Sequence, residues 1–553
     1  MTMPIDVEDG RSLRSGFLAH AARTPDTPAL VVRGVSHSYG ALDQRARRLA
    51  TVLSAGGSRR VERVAVFASR SEVAYAGTLG ALYAGAAYVP LNPRFPVERT
   101  RAMLRRAGVD AIIADAAAAA QLPDVLEGVE RPACIITPDG GVRDDRAEGI
   151  GADVRGADWI GADALARVEP LVRLPGVLSD DVAYLLFTSG TTGEPKGIAV
   201  THANVLHCLD AAAQRYVLGS DDRATQTFDL TFDLAVFDLF VPWNAGASIY
   251  VPQPNELLAP VRFVQRHALT LWFSVPSVPA LAMRRTMLTP GAMPSLRYSL
   301  FCGEPLPEST ARAWAAAAPA STLDNLYGPT ELTIACFAHT WRAPNTSSTD
   351  RDPPHVVAHA IVPIGRPLPG LGALVVDDTL AAVADGAVGE LLVCGPQTVP
   401  GYWRDEARTA ERFVDLAVSP TRTRRFYRTG DRVRRTLTGD YVYCGRTDDQ
   451  VKVLGHRVEL GEIESRLLDQ PGVVQAAAVA WPVEDARALG IVAFVTTDAT
   501  PAPSRDALAV MLPDYMVPSR IVLLDEMPLN GNGKIDRARL SALLGTTGVG
   551  AVG

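Results

Sequence analysis

Short apolar runs alternate with stretches of 3.6-residue periodicity through the first four hundred residues, a pattern that predicts a layered α/β protein. Leu42, Ala46, Leu49, Ala50 and Leu53 recur at helical spacing and mark one buried helix face. Val182 to Phe187 is a continuous apolar run that stops at Thr188-Ser-Gly, which reads as a buried strand feeding a loop. Glycine bounds two further strands, Gly389 to Cys394 and Tyr441 to Cys444. The alanine-rich stretch from Ala111 to Ala120, broken by Asp115, reads as a strand followed by a helix start.

The pattern changes near Asp448. A helix from about Leu460, strands at Val473 to Val479 and Ile491 to Thr496, a helix at Asp506 to Leu512 and a strand at Ile521 to Leu524 predict a compact α+β unit. The expected division is a large core over 1–447, a small unit over 448–541 and a flexible tail over 542–553. A chain of 553 residues is too long for one hydrophobic core, in keeping with that division.

Composition narrows the class. Hydrophobic residues at 47% and charged residues at 21% describe an ordinary globular protein. A net charge of -7 without a basic run argues against nucleic acid as a partner. Arg422, Arg424 and Arg425 come nearest to such a run and read as a solvated loop. The acidic start lacks the apolar segment of a signal peptide, and no stretch approaches the ~20 apolar residues of a membrane span. Six dispersed cysteines without a CxxC pair fit reduced thiols, so the expected compartment is the cytoplasm.

Of fifty-four basic residues only Lys196, Lys452 and Lys534 are lysines. Lysines kept against such an arginine bias belong where a compact ammonium fits and a planar guanidinium does not. All three fall in glycine-containing segments: Thr188-Ser-Gly-Thr-Thr-Gly-Glu-Pro-Lys-Gly197, Gln450-Val-Lys-Val-Leu-Gly455 and Asn530-Gly-Asn-Gly-Lys-Ile535. In the first, glycines let the backbone approach an anion while hydroxyls and Lys196 supply donors and charge. It is a phosphate cradle but not a P-loop, because Gly197 follows the lysine where Ser or Thr would stand.

This stretch resembles the phosphate loop of the adenylate-forming superfamily, which includes amino-acid adenylation enzymes, acyl-CoA synthetases and luciferases. Further motifs follow in family order: Tyr327-Gly-Pro-Thr-Glu331, Tyr427-Arg-Thr-Gly-Asp431, Gly445-Arg-Thr-Asp-Asp-Gln-Val-Lys-Val-Leu-Gly455 and Pro528-Leu-Asn-Gly-Asn-Gly-Lys534. The resemblance implies ATP and Mg²⁺ as cofactors and attack of a carboxylate on the α-phosphate, with Lys534, Glu331 and Thr188 in catalytic roles and Glu331 as the metal ligand. It implies nucleotide contacts from Thr188, Ser189, Gly190, Thr191, Thr192, Gly193 and Lys196 on the phosphate side. Gly303, Glu304, Pro305, Asn325, Tyr327, Gly328 and Thr330 belong to the adenine side, with Asp431 and Arg446 at the ribose. Asp448 stands at the family's hinge. Rotation there would withdraw Lys534 and bring in the segment around Gly455, which makes Lys452 a structural or thiol-side lysine.

The acid being activated is read from Phe228-Asp-Leu-Thr-Phe-Asp-Leu-Ala-Val-Phe-Asp238. Asp233 falls where amino-acid activators carry the aspartate that pairs with the substrate ammonium; a helix N-cap is the plainer role, and Asp229 and Asp238 compete for the amine. The family's pocket positions map to Asp233, Leu234, Phe237, Phe273, Leu300, Cys302, Leu326, Ile334 and Ala335. Such a lining offers nothing to a charged or amide side chain. It resembles the set of stand-alone prolyl-AMP ligases, with Phe237, Phe273 and Cys302 as departures. L-Proline leads; L-alanine, a ring-modified proline, pipecolate and a β-amino acid remain open, as does an acyl-CoA ligase. No carrier segment follows Lys534, so the acceptor is expected to be a carrier protein in trans. His355 and His359 lack a third ligand for zinc, while His202 and His207 are expected on the helix after the phosphate loop.

Overall fold

The computed structural model describes residues 10–55, 60–130, 132–140, 158–189, 195–343, 361–448, 450–484, 487–497, 503–529 and 535–546. Gly190 to Gly193, Lys534, the pair His355 and His359, and the tail beyond 546 lie outside them.

Two large sheets carry the N-terminal lobe. Nine strands form one, running Arg366–Pro367, Phe337–Trp341, Thr322–Tyr327, Tyr298–Phe301, Leu271–Ser274, Arg223–Thr225, Ser248–Val251, Pro28–Val32 and Val35–Ser38 across its width. Seven form the other: Asp158–Gly161, Cys134–Thr137, Ala111–Ala114, Arg63–Phe67, Ala87–Leu91, Val182–Thr188 and Lys196–Thr201. Both sheets are parallel through their centres. Parallel strands are covered by helices on both faces, which is why segments such as Ala111–Ala114 and Leu271–Ser274 are apolar and buried at nearly every position.

The helices Tyr39–Ala55 and Glu72–Tyr83 pack on one another within the same core as both sheets. From Val73 onward the second helix is buried throughout. A Cβ on its Gly80 would stand 2.8 Å from Leu49 Cβ, so close approach accounts for a glycine that otherwise weakens a helix.

A third, five-stranded sheet combines Gly372–Val376, Val388–Cys394, Arg422–Arg435, Phe413–Ser419 and Tyr441–Arg446. Here the expectation of a loop at Arg422, Arg424 and Arg425 is corrected. All three begin a long strand paired antiparallel with Phe413–Ser419, and Arg425 lies 5.2 Å over the Phe413 ring. Charge alone suggested solvent, whereas ladder hydrogen bonds and an aromatic face hold these arginines in a sheet.

The C-terminal unit has cores built from its own residues, around Ile463, Leu467 and Val495 on one side and Phe494 and Leu540 on the other. The hairpin Gln450–Val453 and His456–Glu459 leads into the helix Leu460–Leu468, with strands Val473–Ala480, Ile491–Thr497 and Arg520–Leu523 behind it. The helix expected at Asp506 to Leu512 is shorter, Arg505–Ala509, because Pro513 disfavours helical backbone just before it. A last helix, Arg537–Thr546, continues past residue 541 and packs Leu543 and Leu544 on the second core. This unit docks on the N-terminal lobe through Arg99–Glu462, 2.5 Å apart and buried on both sides, and the exposed pair Arg284–Glu484 at 2.6 Å.

Trp243 shows no exposure, stands edge-on to Phe17 and Phe240 and donates its indole N–H to Ala29 O at 3.0 Å. Trp243→Ala is expected to cost about 3–5 kcal/mol, read as a large drop in the melting temperature of the N-terminal lobe by calorimetry.

Candidate active site

A cavity of about 90 Å³ lies where the C-terminal unit meets the large lobe, lined from both sides. Thr188, Ser189, Asp233, Leu234, Cys302, Gly303, Gly328, Thr330, Asp431 and Arg446 line it, all expected site residues, together with Lys452, Gly455 and Arg457 of the small unit. Small-molecule clefts usually measure about 300–1,000 Å³. The void is narrow here because the 455–457 segment enters it. Gly455 O stands 3.9 Å from the Cβ position of Gly303, and Arg457 O accepts from Ser189 Oγ at 2.7 Å.

The phosphate side is built at the ends of two antiparallel strands. Thr188 closes Val182–Thr188, and its buried Oγ1 has no hydrogen-bond partner. Lys196 opens Lys196–Thr201, and a Cβ on the following Gly197 would meet Trp403 Cβ at 2.9 Å, so glycine lets Trp403 lie against this strand. Burial, then Arg457, lowers the Lys196 ammonium to about 8, against the pull of Glu331 and Glu459.

Glu331 sits without exposure in the turn Thr330–Leu332. Tyr402 donates to it at 2.8 Å, Arg457 Nη1 reaches Oε2 at 3.0 Å, and Lys196 Nζ stands 3.5 Å from Oε1. Burial alone would raise its pKa, but Arg457 and Lys196 hold it well below the usual carboxylate range. Asp431, within Arg422–Arg435, accepts from Arg446 and from the Tyr327 hydroxyl, each at 2.5 Å. Arg446 also bonds Asp448 at 2.6 and 2.9 Å, and Arg412 stands 3.6 Å from the same carboxylate. The expected ribose ligand and the expected hinge residue therefore share one arginine.

A smaller adjoining cavity is lined by Gly303, Glu304, Pro305, Asn325, Leu326 and Tyr327, closed on one side by Lys452. Lys452 Nζ lies 5.8 Å over the Tyr327 ring.

On the substrate side the three aspartates separate by their partners. Asp229 accepts from Ser69, Asn92 and both the amide and hydroxyl of Thr231, which uses its carboxylate fully. Asp238 accepts from the amides of Thr227 and Phe228 and holds that turn. Asp233 stands at the N-cap of Leu234–Asn244 yet caps nothing. Among the described residues its buried Oδ2 has no hydrogen-bond partner, as is true of Asp238 Oδ1, but of the three aspartates Asp233 is the one that lines the cavity. Burial raises its pKa to about 6, opposed by the Thr330 hydroxyl and the amides of Leu234 and Ile334.

Behind Asp233, Leu234 and Cys302 line the cavity and Leu326 the smaller one, whereas Phe237, Phe273, Leu300, Ile334 and Ala335 are buried off both surfaces. Phe273 and Leu300 are register partners on adjacent strands, and the Phe237 and Phe273 rings meet edge-on at 5.0 Å. Phe228 packs on Phe273 at 4.9 Å, closing the floor. Ile334 and Ala335 are buried in the turn after Glu331. His202 and His207 lie on the helix His202–Arg215, as expected, and neither reaches the cavity. Sequence reasoning missed Arg457, Tyr402 and Arg412. Arg457 lies two residues beyond Gly455 and was in view; Tyr402 and Arg412 carried no local signal.

The chain matches the AMP-binding enzyme family over residues 17–403 and the AMP-binding enzyme C-terminal domain over residues 462–534. It belongs to this family of adenylate-forming, ligase-type enzymes. It is 36% identical over 521 residues to an L-proline–[L-prolyl-carrier protein] ligase of Streptomyces coelicolor, covering 91% of each chain. It is 34% identical over 536 residues to tyrocidine synthase 3 of Brevibacillus parabrevis, covering 96% of this chain but only 8% of the synthase. The solved Vibrio cholerae adenylation domain AlmE, in complex with glycyl-adenosine-5′-phosphate, matches with a TM-score of 0.83 at 30% identity and covers 99% of both chains. Among the described residues no helix is long and apolar enough to cross a membrane.

An ammonium ligand needs Asp233 ionised. Since its pKa in the empty pocket is raised to about 6, affinity for such a ligand should level off above that pH and fall as pH drops through it, by about tenfold per unit. Calorimetric titration with proline or alanine between pH 5 and 8 reads this limb, and Asp233→Asn removes it together with binding.

Proposed function

We propose that this enzyme activates a small apolar amino acid, L-proline foremost, with ATP and hands the aminoacyl group to the phosphopantetheine thiol of a separate carrier protein. The observation that carries the reading is the unpartnered Asp233 Oδ2, buried beside the same cavity that Asp431, Arg446 and Thr188 line. A buried carboxylate with a free lone pair is costly until a cation fills it, and a substrate ammonium is that cation. The likeness to the Streptomyces coelicolor prolyl ligase supports proline. The floor closed by Phe237 and Phe273 favours a compact side chain and makes L-alanine the second reading. Asp229, committed to four donors, gives little support to a displaced β-amine.

In the first half-reaction a carboxylate oxygen bonds to the α-phosphorus as the bond to pyrophosphate breaks. Thr188, Ser189 and Lys196 would hold the phosphates, and Asp431 would take the ribose hydroxyls in place of its present donors. Lys534, outside the described residues, is the cation assigned to the developing charge. Glu331 is the residue that would hold Mg²⁺, a hard cation that takes oxygen ligands and neutralises phosphate charge. Its oxygens fit that role once Arg457 and the segment carrying it withdraw, so the arrangement described here belongs to the second half-reaction. There the thiol sulfur bonds to the acyl carbon, AMP leaves with the electron pair, and the thiol proton goes to solvent.

Two measurements test the reading. Amino-acid-dependent ATP–pyrophosphate exchange should peak at proline or another small apolar amino acid, and Asp233→Ala should lower it at least about a hundredfold. Exchange confined to acids without an amine would sink the assignment and favour an acyl-CoA ligase. A Cβ on Gly455 (φ +85°) would stand 2.4 Å from Val275 Cγ1. Gly455→Ala should therefore leave exchange within about threefold of wild type while cutting thioester formation on a phosphopantetheinylated carrier by about a hundredfold or more. Equal losses in both assays would count against alternation of the small unit.

A further inference from the structure

Two aromatic rings lie just behind the cavity wall. Asp233 and Cys302 line the cavity. Phe237 follows Asp233 by one helical turn, and Leu300, the register partner of Phe273, precedes Cys302 by two positions on the strand side. The backbone of Phe273 is fixed. Its strand lies between Arg223–Thr225 and Tyr298–Phe301, its N–H donates to Thr225 Oγ1 at 3.0 Å and its carbonyl accepts from Thr227 Oγ1 at 2.6 Å. Only its ring is free to shift, and that ring is met edge-on by Phe237 at 5.0 Å and by Phe228 at 4.9 Å.

Phe228 is held in turn by side chains. Its N–H donates to Asp238 Oδ2 at 3.2 Å, beside the Thr227 N–H at 2.7 Å. Its carbonyl accepts from Gln226 Nε2, and Gln226 Oε1 accepts from the Tyr75 hydroxyl at 2.7 Å. Asp238, Gln226 and Tyr75 are all buried. Burying a carboxylate and an amide is costly, and an apolar side chain of similar size would fill the same space without them. What the buried network adds is rigidity: with both backbone groups tied, the Phe228 ring stays pressed against Phe273.

We propose that Phe228 is a positioning residue for substrate specificity: clamped by Asp238 and Gln226, it holds the Phe273 ring forward and so limits the depth of the amino-acid pocket. The inference rests on the reading that a small apolar amino acid is the substrate. Phe228 touches no substrate; it acts through Phe273. Asp238, a rival for the amine on sequence grounds, then serves the pocket from behind.

The test is calorimetry with alanyl-, prolyl- and pipecolyl-sulfamoyl adenosine, which differ in side-chain size over a common nucleotide. One methylene in an apolar pocket is worth about 10–200-fold. Wild type should bind the alanyl or prolyl probe at least about tenfold more tightly than the pipecolyl one. Binding of none of the three would refute the small-apolar reading, and the proposal with it, before any substitution. Phe228→Leu, which lets the Phe273 ring swing back, should raise the ratio of pipecolyl to prolyl affinity by about tenfold. Phe228→Trp, which presses the ring forward, should lower the ratio of prolyl to alanyl affinity by a similar factor. A merely loosened fold would weaken all three probes alike and move neither ratio. In case Phe228→Leu folds poorly, Phe228→Met, unbranched and flexible, should shift the first ratio the same way by at least about threefold. Unchanged ratios, or a wild type that binds the pipecolyl probe as tightly as the others, would overturn the proposal.

Discussion

Glu331 is a carboxylate ionised without contact with water, and so much surrounds it that the site is best understood as its solvation shell. A buried anion costs several kcal/mol unless its lone pairs are met. Three distant segments supply the donors: Lys196 at the start of a strand in the seven-stranded sheet, Tyr402 before the helix Glu406–Arg412, and Arg457 from the hairpin of the C-terminal unit. Two donors belong to the large lobe and stay in place. The third belongs to the small unit, so the charge of Glu331 is tied to where that unit docks.

The same logic separates residues of identical type. Asp229, Asp233 and Asp238 lie within ten positions and read alike in sequence, yet one accepts four donors, one holds a turn and one lines the cavity. Asp431 and Asp448 share Arg446, which couples the cavity wall to the point where the two units join. Any group that competes for Asp431 changes what Arg446 can offer Asp448.

Much of the fold was legible. Buried strands declare themselves as apolar runs, and Val182–Thr188, Val388–Cys394, Val473–Ala480 and Ile491–Thr497 lie where the pattern put them. Elements whose composition conflicts with their setting were not: the strand opening at Arg422 looks like a loop because arginines fill its first positions. The site was legible where glycine, hydroxyl and lysine crowd together. It was opaque where a residue acts from afar. Nothing local marks Arg412 as a neighbour of the hinge aspartate.

By itself the sequence determined the layered α/β core, the separate C-terminal unit and the chemistry present in each glycine-rich segment, because those depend on periodicity and on residue types adjacent in the chain. Which aspartate lines the cavity, which pocket positions form a closed aromatic floor and which cations face Glu331 were decided only by tertiary structure. Each of those outcomes is set by atoms brought together from tens to hundreds of residues apart, and a buried charge is governed by its nearest donors rather than by its neighbours in sequence.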